Sequence, residues 1–167
     1  MKSLVLSAVA AAFVLANPAV FAAVSKKDQE FFTKAAGGGM FEVEAGKLAQ
    51  SKGQSDGVKS FGSMLEKDHS AANEELKALA AKKGVTLPSA IPAKMQKTLD
   101  KLGKAKNFDK EFVQEVGLHD HKSDIAMFEK TAKGADDADV KAFAEKTLPT
   151  LKEHLKHAEG LKKGGKH

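Results

Sequence analysis

The sequence lacks cysteine, arginine, tryptophan and tyrosine among its 167 residues. The absence of cysteine excludes a disulfide framework, a thiolate metal site and a cysteine nucleophile. The absence of tyrosine excludes a tyrosyl radical. Histidine and carboxylate side chains must therefore carry any chemistry that the chain performs.

The positive charge of the chain comes from lysine alone, and the formal net charge at pH 7 is +5. These lysines alternate with glutamate and aspartate, which is typical of a solvated surface. Recognition of phosphates and bases favours arginine, and single-stranded nucleic acids bind through stacked aromatic side chains. We therefore expect no nucleic-acid partner, although weak attraction to anionic cell-surface polymers stays open.

The N-terminus has the pattern of an export signal. Lys2 precedes an apolar run over residues 4–15, and small residues follow it up to Ala22. This order of a charged, an apolar and a small-residue region predicts a signal peptide over residues 1–22. Cleavage after Ala22 is favoured over cleavage after Ala23, which would place bulky Phe21 at a position that requires a small residue.

The predicted location of the mature chain is the periplasm or the outside of the cell. The alternative, an N-terminal membrane anchor, is disfavoured because about 12 apolar residues are fewer than the roughly 20 that span a bilayer. We expect no stable membrane insertion after processing. The sequence does not identify a protein partner, and it leaves open whether the protein forms a homodimer.

The remaining residues, 23–167, predict one all-α domain. Caps and helix-breaking residues separate four long helices. We expect these at about residues 25–53, 55–84, 107–134 and 136–161, the last capped by Asp136 and kinked at Pro149. A short helix with Pro92 in its first turn is predicted in the connection 88–106. The pattern indicates a four-helix bundle, with either an up-and-down topology or a long crossover.

Each long helix places one metal-capable side chain on or beside its apolar stripe. These side chains belong to Glu42, His69, His121 and His154. An unpaired buried polar group costs roughly 1 to 3 kcal/mol, so four in one core are expected to meet each other, water or a metal. Equal spacing from predicted helix ends places the first three at one level. His154 lies about six residues, roughly 9 Å, from that level, so it either shifts with its helix or belongs elsewhere.

Other residues offer supporting or alternative roles. Glu66 forms a Glu-x-x-His pair with His69, which is half of a di-iron motif. Glu44 is an alternative ligand from the first helix. The methionines at positions 40, 64 and 127 are expected in the core rather than on a copper path, and the histidines at positions 119 and 157 are expected at the surface or beside the ligands. The residues predicted to orient the ligands are Glu66, Asp68, Asp120 and Asp124.

Four segments resemble the secreted family of domain of unknown function 4142 (DUF4142). They are "GGGMFEVEAGKLA", "MLEKDHSAANEELKALAAKKGVTLP", "FVQEVGLHDHKSDIAMFEKTA" and "AEKTLPTLKEHL". The resemblance implies a ferritin-like four-helix bundle with no established activity. It also implies that the family's recurrent acidic and histidine residues are Glu42, Asp68 with His69, Asp120 with His121, and His154.

Three functions are weighed on these grounds. The first is an exported binding module that holds a divalent transition metal (Zn, Cu, Ni, Mn or Fe) for metal or stress homeostasis, since imidazole-rich sites suit Zn, Cu and Ni. The alternative is a metal-free structural or interaction bundle of the cell envelope. A dinuclear oxidoreductase is the third. Because no phosphate loop or nucleophile elbow is present, we expect a binding protein rather than an enzyme.

Overall fold

The computed structural model describes residues 24–164, which fold into helices with no strand among them. The elements are α1 (Lys26–Lys52), α2 (Asp56–Lys83), α3 (Ala93–Gly103), α4 (Phe108–Phe112), a π-helical segment (Val113–Asp120), α5 (His121–Gly134) and α6 (Ala138–Gly164). The prediction of an all-α bundle with a short helix in its long connection is confirmed. The predicted signal peptide lies outside the described residues. None of the described helices has an apolar stretch long enough to cross a bilayer.

Local caps explain where the helices begin. The hydroxyl of Ser25 accepts a hydrogen bond from the backbone N–H of Asp28, and Ser55 caps α2 in the same way. The side chain of Asn107 caps α4. Each cap satisfies a backbone donor that has no partner within its helix.

The predicted cap of the last helix is wrong by one residue. Asp137, not Asp136, accepts from the backbone N–H groups of Asp139 and Val140, at 2.9 and 3.2 Å. Asp136 instead pairs with Lys27, 2.6 Å away. The two adjacent aspartates offer the same local signal, and a contact from another helix decides between them. Pro149 lies within α6, and the kink predicted there stays a prediction.

Two carboxylates tie the ends of the bundle and reveal its topology. Asp28, at the start of α1, accepts from the backbone N–H groups of Asp136 and Asp137 just before α6. At the opposite end, Asp109 of α4 accepts from the backbone N–H groups of Gln54 and Ser55 just before α2, both at 2.8 Å. The connection through α3 therefore runs back along the bundle. Helices α1 and α6 run in one direction, and α2, α4 and α5 run in the other.

The core consists of two apolar clusters separated by a polar layer. One cluster includes Phe61, Leu65 and Phe112, and the other includes Phe32 and Phe128. On every long helix one buried polar residue lies where one cluster ends and the other begins. These residues are Glu42, His69, His121 and His154. The bundle thus places them together at its middle, away from its ends.

A close contact between α1 and α2 holds this layer together. A Cβ atom at Gly46, one turn after Glu42, would lie 2.6 Å from the backbone oxygen of Gly62. Such an approach is tolerated only where both residues lack a side chain. Any larger residue at Gly46 must therefore push the two backbones apart.

We predict that Gly46→Ala destabilises the protein by about 1 to 3 kcal/mol, because the added methyl group meets rigid backbone. Urea unfolding monitored by circular dichroism measures the change. The matched control is Gly160→Ala, since Gly160 lies in α6 with open space around it. The control should be neutral or stabilising by up to about 1 kcal/mol. An unchanged unfolding midpoint for Gly46→Ala would show that the helices do not depend on this contact.

Candidate metal centre

The structure brings the four predicted ligands to one level of the bundle. Glu42 and His154 each lie 16 residues after the first residue of their helices. His69 and His121 lie 14 and 13 residues before the last residue of theirs. The expected displacement of His154 by about 9 Å is wrong. It was obtained by measuring the position of His154 along the bundle from the C-terminal end of the last helix. Since α6 runs parallel to α1, depth must be counted from its start.

The four side chains are in direct contact and are almost completely buried. Nε2 of His121 lies 3.2 Å from Nδ1 of His154 and 3.4 Å from Oε1 of Glu42. Oε2 of Glu42 lies 2.9 Å from Nδ1 of His69. Despite these short distances, neither oxygen of Glu42 receives an aligned hydrogen bond from residues 24–164, and Nε2 of His69 is buried without a partner there. The polar atoms of these side chains therefore lie close together, but the hydrogen-bonding capacity of Glu42 and His69 is not satisfied within this group.

Two contacts fix the direction of the lone pairs at the centre. The carbonyl of Val116 lies 2.8 Å from Nδ1 of His121 and can only accept, so that nitrogen carries the hydrogen. Oδ2 of Asp68 lies 3.0 Å from Nε2 of His154 and accepts from it when ionised. The lone pairs of the remaining two nitrogens then face each other across 3.2 Å. Two acceptors at this distance need a cation between them, either a proton or a metal ion.

The π-helical segment supplies the carbonyl that orients His121. The sequence predicts an uninterrupted helix over residues 107–134, so this segment was missed. Within it, Gly117 lets α6 approach, since a Cβ atom there would lie 2.6 Å from Cβ of Ala158. Such segments often occur at functional sites. Here it lies between α4 and α5 and brings the His121 ring towards His154.

Burial governs the protonation of the centre. It raises the pKa of Glu42 to about 7, lowers the pKa of His69 to about 4, and lowers the pKa values of His121 and His154. The imidazoles are therefore neutral near pH 7, which is the form that binds metals.

Two further carboxyl groups lie beside Glu42. One oxygen from each of Glu42, Asp120 and Asp124 lies within 4.8 Å of the other two. Burial, reinforced by the neighbouring carboxylates, raises the pKa of Asp120 to about 9 and that of Asp124 to about 8. Both were predicted to orient ligands, and the structure places them beside Glu42 of α1.

The structure gives the other sequence candidates different surroundings. Glu66 accepts a hydrogen bond from Gln50 at 2.5 Å and is not part of the cluster, so the Glu-x-x-His spacing does not bring it to the centre. Glu44 is exposed and pairs with Lys47. His157 stacks on Phe61 with 5.1 Å between ring centroids, whereas His119 is exposed. The three methionines are half-buried.

A cleft between α2 and α6 reaches the centre from outside. It encloses about 240 Å³ and is lined in part by His69 and His154. Asp68 lies in its wall with a side chain that is 33% exposed. The cleft wall also includes Glu153 and the ion pair of Glu75 with Lys146. The buried histidines are therefore separated from solvent by a short, partly acidic path.

A comparison with protein families decides the family of the chain. The model described as "Domain of unknown function (DUF4142)" matches residues 15–161. The chain belongs to the DUF4142 family. The family resemblance stated from the sequence motifs is thereby confirmed, and no curated protein matches the DUF4142 chain.

Solved structures show the same fold as this DUF4142 chain. CopM in the Cu(I)-bound form matches with a TM-score of 0.71 and 16% identity, over 84% of this chain and 98% of that chain. CopM in the Cu(II)-bound form matches with a TM-score of 0.65 and 15% identity, over 80% and 93%. A DUF305 fragment from Deinococcus radiodurans has a TM-score of 0.72 and 11% identity, over 84% and 97%. At these identities the likeness establishes the helical fold alone.

The raised pKa values predict that the metal-free protein loses stability between pH 7 and 9. A carboxyl group that holds its proton when folded but not when unfolded lowers stability by about 1.4 kcal/mol per pH unit. Asp120 and Asp124 both meet this condition above pH 7. The lowered pKa of His69 acts in the opposite sense, removing stability only as the pH falls from 6.5 towards 4.

Denaturant titrations in a chelator at several pH values between 7 and 9 test this slope. Asp120→Asn should flatten it, because one titrating group is removed. Glu129→Gln, which alters an exposed partner of Lys152, should leave it unchanged. Equal slopes in wild type and Asp120→Asn would contradict the assigned protonation.

Proposed function

We propose that this protein binds one divalent transition-metal ion at the polar layer of the bundle. The ligands are Nε2 of His121, Nδ1 of His154, a ring nitrogen of His69 and the carboxylate of Glu42. The observation that carries the proposal is the pair of facing imidazole nitrogens 3.2 Å apart, each with its other nitrogen occupied by an acceptor.

The distances suit a shared metal ion. A tetrahedral ion that holds nitrogen at 2.0 to 2.1 Å keeps two ligands roughly 3.3 Å apart. The distances from Nε2 of His121 to His154 and to Glu42 are 3.2 and 3.4 Å. The metal-free alternative needs an extra proton between His121 and His154, although burial lowers the pKa of both rings. A metal ion coordinates the same lone pairs without requiring protonation of a buried imidazole.

The donor set favours copper or zinc over harder ions. Three imidazoles and one carboxylate form a nitrogen-rich site of intermediate softness, and affinity for such sites rises from manganese to copper. CopM, which shares the fold, was solved with Cu(I) and with Cu(II). We therefore expect Cu(II) to bind more tightly than Zn(II), and Zn(II) more tightly than Mn(II), at these histidines.

The proposed role is to hold or transfer metal outside the cytoplasm. The location rests on the predicted signal peptide over residues 1–22. The cleft between α2 and α6, with the carboxyl groups of Asp68 and Glu153 in its wall, offers a path for a cation to the buried histidines. Binding and homeostasis therefore fit the site better than catalysis. The metal-free interaction bundle is the alternative that the following experiments distinguish.

We predict that His69→Ala and His121→Ala each lose Zn(II) and the thermal stabilisation linked to it. Stabilisation by a ligand grows as RT ln(1 + [L]/Kd), or about 2.7 kcal/mol at 100 times Kd. Melting of the untagged protein with and without Zn(II), together with elemental analysis, measures both effects. His157→Ala is the matched control, since His157 stacks on Phe61 beside the site without joining it.

A metal-free network of hydrogen bonds has a different signature. In that case every variant should be destabilised by roughly 1 to 3 kcal/mol in chelator as well as in metal, because each leaves a buried partner unsatisfied. Equal zinc content in wild type, His69→Ala and His121→Ala ends the metal proposal.

Asp68 is predicted to strengthen metal binding without touching the ion. Its carboxylate accepts from Nε2 of His154 and thereby directs the lone pair of Nδ1 inward. Loss of such a partner typically weakens a metal site by 10 to 100-fold. Competition with a chromophoric chelator should show this loss for Asp68→Asn. Glu153→Gln, a change in the same cleft, should keep the affinity of the wild type, and equal loss in both would indicate a general charge effect instead.

A further inference from the structure

Three carboxyl groups lie together on the side of Glu42 that faces the π-helical segment and α5. One oxygen each from Glu42, Asp120 and Asp124 is within 4.8 Å of the others. They come from distant parts of the chain. Glu42 lies on α1, Asp120 ends the π-helical segment, and Asp124 lies in the first turn of α5. The three histidine side chains form a second group, and Glu42 also contacts two of its members, His69 and His121.

No lysine in the described part of the chain pairs with these groups. Glu42 is 0% exposed, and both its oxygens lack a hydrogen bond from residues 24–164. Oδ2 of Asp120 is buried without a partner in the same part of the chain. The ion pairs that lysines make there involve other acids. Three carboxylates so close together require protons or a cation.

The space beside the cluster suits a single small species. A cavity of about 20 Å³ lies against Glu42 and Asp124 but not Asp120, and the other residues that line it include His69, Asn73 and Thr147. This volume is enough for about one water molecule or one ion. The cavity is therefore too small for an organic substrate, whereas a single metal ion or a single water molecule fits the space.

The donor atoms indicate which class of ion binds. An octahedral ion that holds oxygen at about 2.1 Å separates its ligands by roughly 3 Å when they are adjacent and roughly 4 Å when they are opposite. The three carboxylate oxygens lie within 4.8 Å of one another, which is compatible with adjacent and with opposite positions around such an ion. Oxygen-only sites suit hard ions such as Mn²⁺, Mg²⁺ and Ca²⁺, whereas imidazole-rich sites suit copper and zinc.

We propose that Glu42, Asp120 and Asp124 form a second cation site, selective for a small hard divalent ion, and that Glu42 is shared with the histidine site. The centre then holds two unlike ions, a nitrogen-bound copper or zinc ion and an oxygen-bound ion of the manganese class. Glu42 is suited to be shared, because its oxygens lie 3.4 and 2.9 Å from His121 and His69, and one of them also lies within 4.8 Å of an oxygen of each aspartate. The oxygen site is separable from the proposed function, since Asp120 and Asp124 take no part in nitrogen coordination.

Native mass spectrometry of the untagged chain, loaded with one equivalent of Zn²⁺ and then titrated with Mn²⁺, counts and identifies both ions. Wild type should carry one zinc and one manganese. Asp120→Asn and Asp124→Asn should keep zinc and bind Mn²⁺ at least about tenfold more weakly, because each removes one charged ligand. Asp139→Asn, which changes a surface partner of Lys82 and Lys83, is the matched control and should bind both ions.

Different results would reject the histidine site and the oxygen site. His69→Ala should lose zinc yet retain manganese, whereas loss of zinc alone from wild type would reject only the histidine site. Far-ultraviolet circular dichroism and the melting temperature check that the asparagine variants fold. The oxygen site is overturned if zinc-loaded wild type takes up no Mn²⁺, or if folded Asp120→Asn and Asp124→Asn bind Mn²⁺ as tightly as wild type.

Discussion

A carboxylate buried at the middle of a helical bundle is the constraint on which the rest of this structure depends. Glu42 is fully buried, and residues 24–164 provide it with no aligned hydrogen bond. An ionised carboxylate in such a place is stable only if positive charge compensates it. The surrounding histidines and aspartates are themselves buried and largely neutral near pH 7. A proton on Glu42, whose pKa is raised to about 7, or a bound cation supplies that compensation, and the donor atoms converge where the proposed cation would lie.

The fold is built to bring distant residues to that level. The carboxylates of Asp28 and Asp109 bind backbone N–H groups at opposite ends of the bundle and fix how far each helix extends. Glycine contacts at Gly46 and Gly117 then let neighbouring helices approach closely. Apolar clusters above and below bury the layer from both ends of the bundle. Position along each helix, set at the ends, thus determines which polar atoms meet in the middle.

The sequence predicts local features of this arrangement better than distant ones. The starts of the first three long helices, expected near residues 25, 55 and 107, agree with the caps Ser25, Ser55 and Asn107, because a cap depends on neighbouring residues. The four residues that meet in the polar layer are identified because each interrupts an apolar stripe. The depth of His154 is misjudged, since it depends on the direction of α6, which no local pattern encodes.

Two other features could not be predicted from the sequence, because they too depend on how distant parts of the chain pack together. The π-helical segment leaves no clear signal in residues 113–120, although it supplies the carbonyl that orients His121. The contact of Asp120 and Asp124 with Glu42 joins elements far apart in the chain. Glu66, by contrast, matches a familiar motif spacing and yet accepts from Gln50, because the bundle geometry turns it away from the centre.

The central claim is that buried histidines bind a metal directly, and zinc K-edge X-ray absorption of protein loaded with one equivalent of Zn²⁺ tests it most directly. The structure predicts three imidazole ligands at about 2.0 to 2.1 Å, with the remaining coordination from oxygen. Multiple scattering from the imidazole rings distinguishes these ligands from water and carboxylate. A first shell made only of oxygen, or one with a single imidazole, would contradict the account.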